Sequence, residues 1–214
     1  MKLKHENPSR DRKTHILKAT TKLLNEKGLQ GFSFESVAKE ADLSRQLLRY
    51  YFSDLDHLVS ELSDYLGNVY REALVEGIVE VRQVERLDFF LDFLFDLTDG
   101  YRMPDNLKVY DALVAYSVGS SQVKDRMRAQ YKTLGQVIAQ ELAIAHPSLN
   151  GPSCEELSFL FVSMMHAHWS FVASLGFSRH QSKVTRRAID RLINSYLNDP
   201  TKTSQATNSW LQES

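Results

Sequence analysis

Apolar residues recur at three- and four-residue steps along almost the whole chain, and no stretch alternates as a half-buried strand would. The first periodic segment runs from about Arg12 to Lys27, with Ile16, Thr20, Leu23 and Leu24 on one face. Gly28 follows where a left-handed C-terminal cap is wanted. A second, short helix is predicted from about Phe34 to Ala41 with Ser33 as N-cap, and a third is capped by Ser44 and carries RQLLRYY. The fourth begins near Asp54 and repeats Leu55, Leu58, Val59, Leu62, Leu66, Val69 and Ala73 on one stripe, with Gly67 and Gly77 as candidate bends. Further helices are predicted at about 84–99, 104–118, 121–145, 154–175 and 182–197. Pro104 suits a first helical turn, Gly119 separates two patterns, His146-Pro147 stops one, and Asn150-Gly151-Pro152 reads as a turn. Ser153 to Glu156 has the S-x-x-E form of a capping box, and Asp199-Pro200 ends the last helix.

The expected fold class is therefore all-α, about nine helices. Three short ones form an N-terminal domain over residues 1–53, followed by a larger helical body over 54–198. The stretch 199–214 is polar and is expected to be a disordered tail, with Trp210 its one large anchor.

Charge sharpens this division. The net charge of −1 over 214 residues hides 11 Lys/Arg against 6 Asp/Glu in residues 1–53, while the remainder is acidic. A locally positive field favours a polyanion. No apolar run approaches the roughly 18–20 residues of a membrane span, and the basic start MKLKHENPSRDRKTH has no apolar stretch after it. The single cysteine, Cys154, forms no internal disulfide and suits a reducing, cytoplasmic setting.

The second and third helices are joined by ADLS, residues 41–44, a link short enough for a helix-turn-helix. In that motif the second helix enters the major groove with its N-terminal residues on base edges. Arg45, Gln46 and Arg49 share one face there, with Ser44 at the cap. Arginine bridges guanine O6 and N7, and glutamine bridges adenine N6 and N7. Leu47 beside that face can meet a thymine methyl, and Tyr51 pairs an apolar ring with a hydroxyl suited to a phosphate. Leu48 and Phe52 point the other way, into a small core with Val37 and Ala38. Tyr50 is expected either on DNA or packed on the first helix. Arg10, Arg12 and Lys13 read as a basic arm, either solvated or near DNA.

Residues 15–58, HILKATTKLLNEKGLQGFSFESVAKEADLSRQLLRYYFSDLDHL, resemble the N-terminal domain of TetR-type transcriptional regulators. The matching features are I-L-x-A in the first helix, its L-x-x-x-G ending, S-x-x-x-V-A in the second, the A-D-L-S turn, and the L-x-x-Y-F exit. Two positions depart from the common pattern. Arg49 stands where many members have a tyrosine, and Leu55 where many have a phosphate-holding lysine. Asp54 and Asp56 make that corner acidic, with His57 left as a phosphate donor, and Ser33 can hold a phosphate beside the open amides of its helix.

The resemblance implies a sequence-specific regulator, favouring a ligand-responsive repressor that binds a palindromic DNA operator as a homodimer. It implies pairing of the last two helices, at about 154–175 and 182–197, with their copies. The segment 157–175, LSFLFVSMMHAHWSFVASL, is apolar almost all round, and 182–197 carries a wide apolar stripe. It also implies a cavity in the body for a small, mostly apolar effector; Tyr110, Tyr116, Met164, His168 and Trp169 are candidate lining residues. The alternative readings are a helical small-molecule carrier and a redox-sensing regulator using Cys154, placed beside a helix N-cap where a thiolate gains stability.

Catalysis is not expected. H-E-x-x-H, G-x-S-x-G, Walker A and G-x-G-x-x-G are all absent from the sequence. His166 and His168 are two apart, roughly 200° around a helix, and so cannot share one metal. No cofactor is expected.

Overall fold

The computed structural model describes residues 8–104, 106–198 and 210. Among them are nine α-helices and no strand: α1 (Pro8–Lys27), α2 (Phe34–Glu40), α3 (Arg45–Tyr51), α4 (Leu55–Ile78), α5 (Arg86–Leu94), α6 (Leu107–Ser117), α7 (Ser121–Ala145), α8 (Gly151–Trp169) and α9 (Gln181–Asn198). The expected tail at 199–214 lies outside the described residues, Trp210 excepted. No described helix is long and apolar enough to cross a membrane.

Helix termini depart from the sequence pattern where caps compete. Helix α1 begins at Pro8, earlier than its apolar stripe, with Asp11 in the first turn favoured by the helix dipole. Arg10, Arg12 and Lys13 are therefore helical residues and not an arm. Lys13 sits 5.5 Å above the Phe52 ring and 3.8 Å from Glu61. Helix α6 starts at Leu107, and Pro104 lies outside it, its carbonyl accepting the Tyr70 hydroxyl at 3.2 Å. The Asn150 side chain caps α8 by accepting from the Ser153 amide at 2.9 Å, and Pro152 occupies the first turn. The expected capping box at Ser153–Glu156 is thus a turn too late, and the Ser153 hydroxyl is buried without a partner. Gly67 and Gly77 interrupt nothing in α4. A Cβ at 77 would lie 2.3 Å from the Phe89 ring, so glycine there admits an aromatic.

The chain forms two compact units. One takes the chain up to Asn68 with Asn106–Met127; the other takes Val69 onward with Arg128 onward. The division between these two units falls inside α4. The first half of α4, α6 and the start of α7 belong with the three short helices, since Leu58, Val59, Leu62, Leu66, Val109, Leu113 and Val123 are buried there beside Ile16, Leu23, Val37 and Leu48.

The second unit is built on Leu87, Phe90, Leu91, Phe93, Leu94 and Phe95 of the α5 region, with Ile138, Leu142, Leu157, Phe161, Ile189 and Ile193. Most of the mid-chain aromatics are core here. Arg186 of α9 is buried and paired with Asp88 and Asp92 of α5 and with Asp190, so the charge is compensated from both helices. Trp169 donates its indole N–H to the Leu94 carbonyl at 2.8 Å.

His168 is buried between the Phe95 and Trp169 rings, with Ser182 at 2.9 Å from Nε2 and Thr185 at 3.3 Å from Nδ1. Burial pushes its pKa below the ordinary histidine range. The folded state then holds a proton less readily than the unfolded chain. The stability from a neutral His168 is fully present above the ordinary histidine pKa and is lost as pH falls below it. Equilibrium unfolding from pH 7.5 to 5 is expected to show this loss, with a slope of up to about 1.4 kcal/mol per pH unit. His168→Gln is expected to flatten that part of the curve.

Candidate nucleic-acid interface

The turn between α2 and α3 is held by two backbone bonds, Asp42 N–H to Lys39 O at 3.2 Å and Leu43 N–H to Ala38 O at 2.9 Å. Asp42 takes a positive φ of 52°, a conformation that aspartate tolerates better than most residues. Ser44 caps α3, its Oγ accepting from the Leu47 amide at 3.1 Å. That bond uses a lone pair of the oxygen and leaves the hydroxyl proton to donate elsewhere. Leu48 and Phe52 are fully buried with Val37 and Ala38.

This anchoring turns the opposite side of α3 to solvent. Arg45, Gln46, Leu47, Arg49 and Tyr50 are all exposed. Tyr50 is 80% exposed, so it does not pack on α1, and its ring stands edge-on to Tyr51 at 5.1 Å. Arg49 lies 5.4 Å over the Phe34 ring, and Arg45 lies 3.8 Å from Glu35. Both arginines therefore lean on the start of α2. The sequence reading missed Phe34 and Glu35 in this role; their position directly after the Ser33 cap was the available signal.

Ser33 caps α2 reciprocally with Ser36: the Ser36 amide donates to Ser33 Oγ at 3.1 Å, and the Ser33 amide to Ser36 Oγ at 2.8 Å. The acidic corner is largely committed to structure. Asp54 accepts from the His57 amide at 2.8 Å and from the Ser53 hydroxyl at 2.8 Å, which hold its carboxyl below the ordinary range. Asp56 accepts from the Tyr116 hydroxyl at 2.7 Å and from Ser120 at 2.8 Å. Burial, then the Asp56 carboxylate, raises the Tyr116 pKa, so that hydroxyl remains a donor. The Ser53 amide lies 3.3 Å from His57 Nδ1, which assigns the ring proton to Nε2. Phe34, Arg49, Ser53, Asp54, Leu55, Asp56 and Gln122 line an open depression of about 610 Å³ beside the C-terminal end of α3.

The candidate effector residues are distributed between the units. Tyr110 and Tyr116 lie on α6 in the first, and Met164, His168 and Trp169 on α8 in the second. The polar atoms of Tyr116, His168 and Trp169 are engaged by internal partners. Cys154 is 2% exposed, and burial raises its thiol pKa. The sequence placed it beside a helix N-cap, and with Asn150 as the cap it lies buried a turn inside α8. That corrects the reading of Cys154 as a low-pKa redox sensor.

Relatives share this architecture. Residues 16–62 match the family of bacterial regulatory proteins described as the tetR family. Over 49 residues the chain is 43% identical to the HTH-type transcriptional regulator PksA of Bacillus subtilis (strain 168), covering 23% of this chain. The match spans 24% of that relative's length. Among solved structures, a TetR transcription regulator from Haloarcula marismortui ATCC 43049 superposes with a TM-score of 0.72 at 18% identity, over 87% of this chain and 98% of its own. A transcriptional regulator from Rhodococcus sp. Rha1 gives 0.69 at 18%, over 87% and 96%. Salmonella enterica GusR gives 0.67 at 16%, over 90% and 100%. Identities this low carry the fold alone.

Over residues 16–62 the chain is similar to the tetR family of bacterial regulatory proteins. The similarity places a helix-turn-helix of the TetR type at the N-terminal end of an all-helical fold.

Proposed function

We propose that this protein is a cytoplasmic, ligand-responsive transcriptional repressor of the TetR type that binds a palindromic operator as a homodimer. The observation that carries the reading is the face of α3, where Arg45, Gln46, Leu47, Arg49 and Tyr50 are all exposed on a helix anchored by Leu48 and Phe52. In this reading Arg45 and Gln46 contact bases, Leu47 meets a thymine methyl, and Arg49 and Tyr50 flank them. Ser33, Ser44, Tyr51 and His57 hold phosphates.

Dimerisation is supported by the second unit. Its core takes Leu157, Phe161, Val162 and Trp169 from one side of α8, while Phe159, Phe171, Leu175, Phe177 and Val184 remain exposed. Apolar surface on that scale favours a partner, here the same face of a second copy over 154–175 and 182–197. Two copies place α3 one turn of DNA apart, about 34–36 Å.

Effector response is supported within the first unit by Asp56. This residue of α4's first turn is tied to Tyr116 of α6 and to Ser120, so a displacement of α6 is transmitted to the helix that follows α3. A mostly apolar effector in the 54–198 body, near Tyr110, Tyr116, Met164, His168 or Trp169, acts by favouring one of two conformers.

The test is selection of random DNA fragments by the purified protein near physiological salt, followed by sequencing. The expected result is a palindrome with half-sites one helical turn apart. Recovery of fragments without a shared sequence, bound only at low salt, would sink the proposal.

A further inference from the structure

Glycine weakens a helix because it gives up more backbone freedom on folding than any other residue, yet α7 carries Gly135 in its interior. The second unit supplies a reason. A Cβ at position 135 would lie 2.0 Å from Cζ2 and 2.2 Å from Cε2 of Trp210, so the indole lies directly on the bare backbone of α7. Its Nε1–H donates to Ser158 Oγ at 2.9 Å, and the Phe159 ring meets it edge-on with centroids 5.3 Å apart. Ser158 is buried, and its own hydroxyl proton goes to the Glu155 carbonyl at 2.8 Å. Its oxygen thus presents a lone pair to the indole and keeps no proton to offer.

We propose that Gly135, Ser158 and Phe159 form a slot for an indole-class ligand, a planar aromatic with a ring N–H donor, and that Trp210 fills it. Each part of the slot selects for that class. The bare glycine admits a flat ring and no branched side chain. The Ser158 oxygen accepts an N–H and repels a ring carbonyl. Phe159 adds an edge contact, worth more to an aromatic than to an aliphatic of equal area. A free ligand of this class competes with Trp210 and takes its place against Phe159 on the exposed apolar side of α8.

The test uses the full chain and four proteins: wild type, Gly135→Ala, Trp210→Ala and the double variant. Alanine is the better helix former, so Gly135→Ala raises the melting temperature wherever the slot is empty. It is expected to lower the melting temperature by about 2–4 °C in wild type and to raise it in the Trp210→Ala background. A rise in both backgrounds overturns the docking of Trp210. Millimolar indole is then expected to raise the melting temperature of Trp210→Ala by about 2–4 °C and to leave the double variant unmoved. No shift in Trp210→Ala, or equal shifts in both, overturns the ligand class.

Discussion

Arg45→Ala is expected to lower specific operator affinity by ~30-fold to ~10⁴-fold while leaving the melting temperature unchanged. A bidentate arginine–guanine contact discriminates by about 1–3 kcal/mol, and a homodimer on a palindrome loses it in both half-sites, about 2–6 kcal/mol in all. The native fold loses little, because Arg45 is exposed and its only described ionic neighbour, Glu35, is also exposed at 3.8 Å. Arg49→Ala separates two roles for the residue that departs from the family pattern. If Arg49 reads a base, the substitution relaxes the preference at one position of each half-site. If it holds a phosphate, binding weakens on every sequence and the salt dependence becomes shallower by about one counterion per half-site. Its guanidinium lies over the Phe34 ring, at the rim of the depression that Asp54, Leu55 and Asp56 also line. Filter binding or fluorescence anisotropy at three salt concentrations decides between them. Undiminished operator affinity in Arg45→Ala would remove α3 as the reading element.

The helix-turn-helix was legible because its rules are local. Leu48 and Phe52 had to face inward once the chain after Ser44 turned helical, and that alone assigned the exposed side to Arg45, Gln46 and Arg49. The helix pattern of the body was legible for the same reason, down to the span of α7 at 121–145. The misplaced termini arose where two capping residues competed. Asn150 and Ser153 both suit an N-cap, and Asn150 prevails because Pro152 fits the first helical turn, where its missing N–H costs nothing. Contacts between residues distant in sequence left little trace. Asp56 looked like an unwelcome charge near DNA, and only the fold brings Tyr116 and Ser120 to its carboxylate. Nothing in the sequence pairs Gly135 with Trp210, and only the fold sets that indole on the bare backbone of α7. The unit boundary inside α4 has a similar cause. One uninterrupted apolar stripe serves two cores, and periodicity does not mark where one ends.

Phe52→Ala is the opposite of Arg45→Ala: a loss of fold that removes DNA binding without touching a DNA contact. Phe52 ends α3, its amide donating to the Leu48 carbonyl at 2.9 Å, and its side chain is fully buried. His57 meets the ring edge-on at 5.5 Å, and the Lys13 ammonium lies 5.5 Å from its centre, so α1, α3 and the start of α4 all converge on it. Truncating a buried phenylalanine costs about 3–5 kcal/mol through lost transfer energy and the cavity left behind. That is a large share of the roughly 5–15 kcal/mol by which a domain of ordinary size is stable. Urea unfolding followed by circular dichroism is expected to show the loss as a lower midpoint for the α1–α3 region. Operator affinity should fall with it and recover in part on cooling from 37 °C to 15 °C, as the folded population returns. Phe52→Leu keeps much of the volume and is expected to lose less than half as much. If Phe52→Ala left stability intact but abolished binding, the ring would be acting at the DNA and not beneath it, and the outward orientation assigned to Arg45, Gln46 and Arg49 would be reversed.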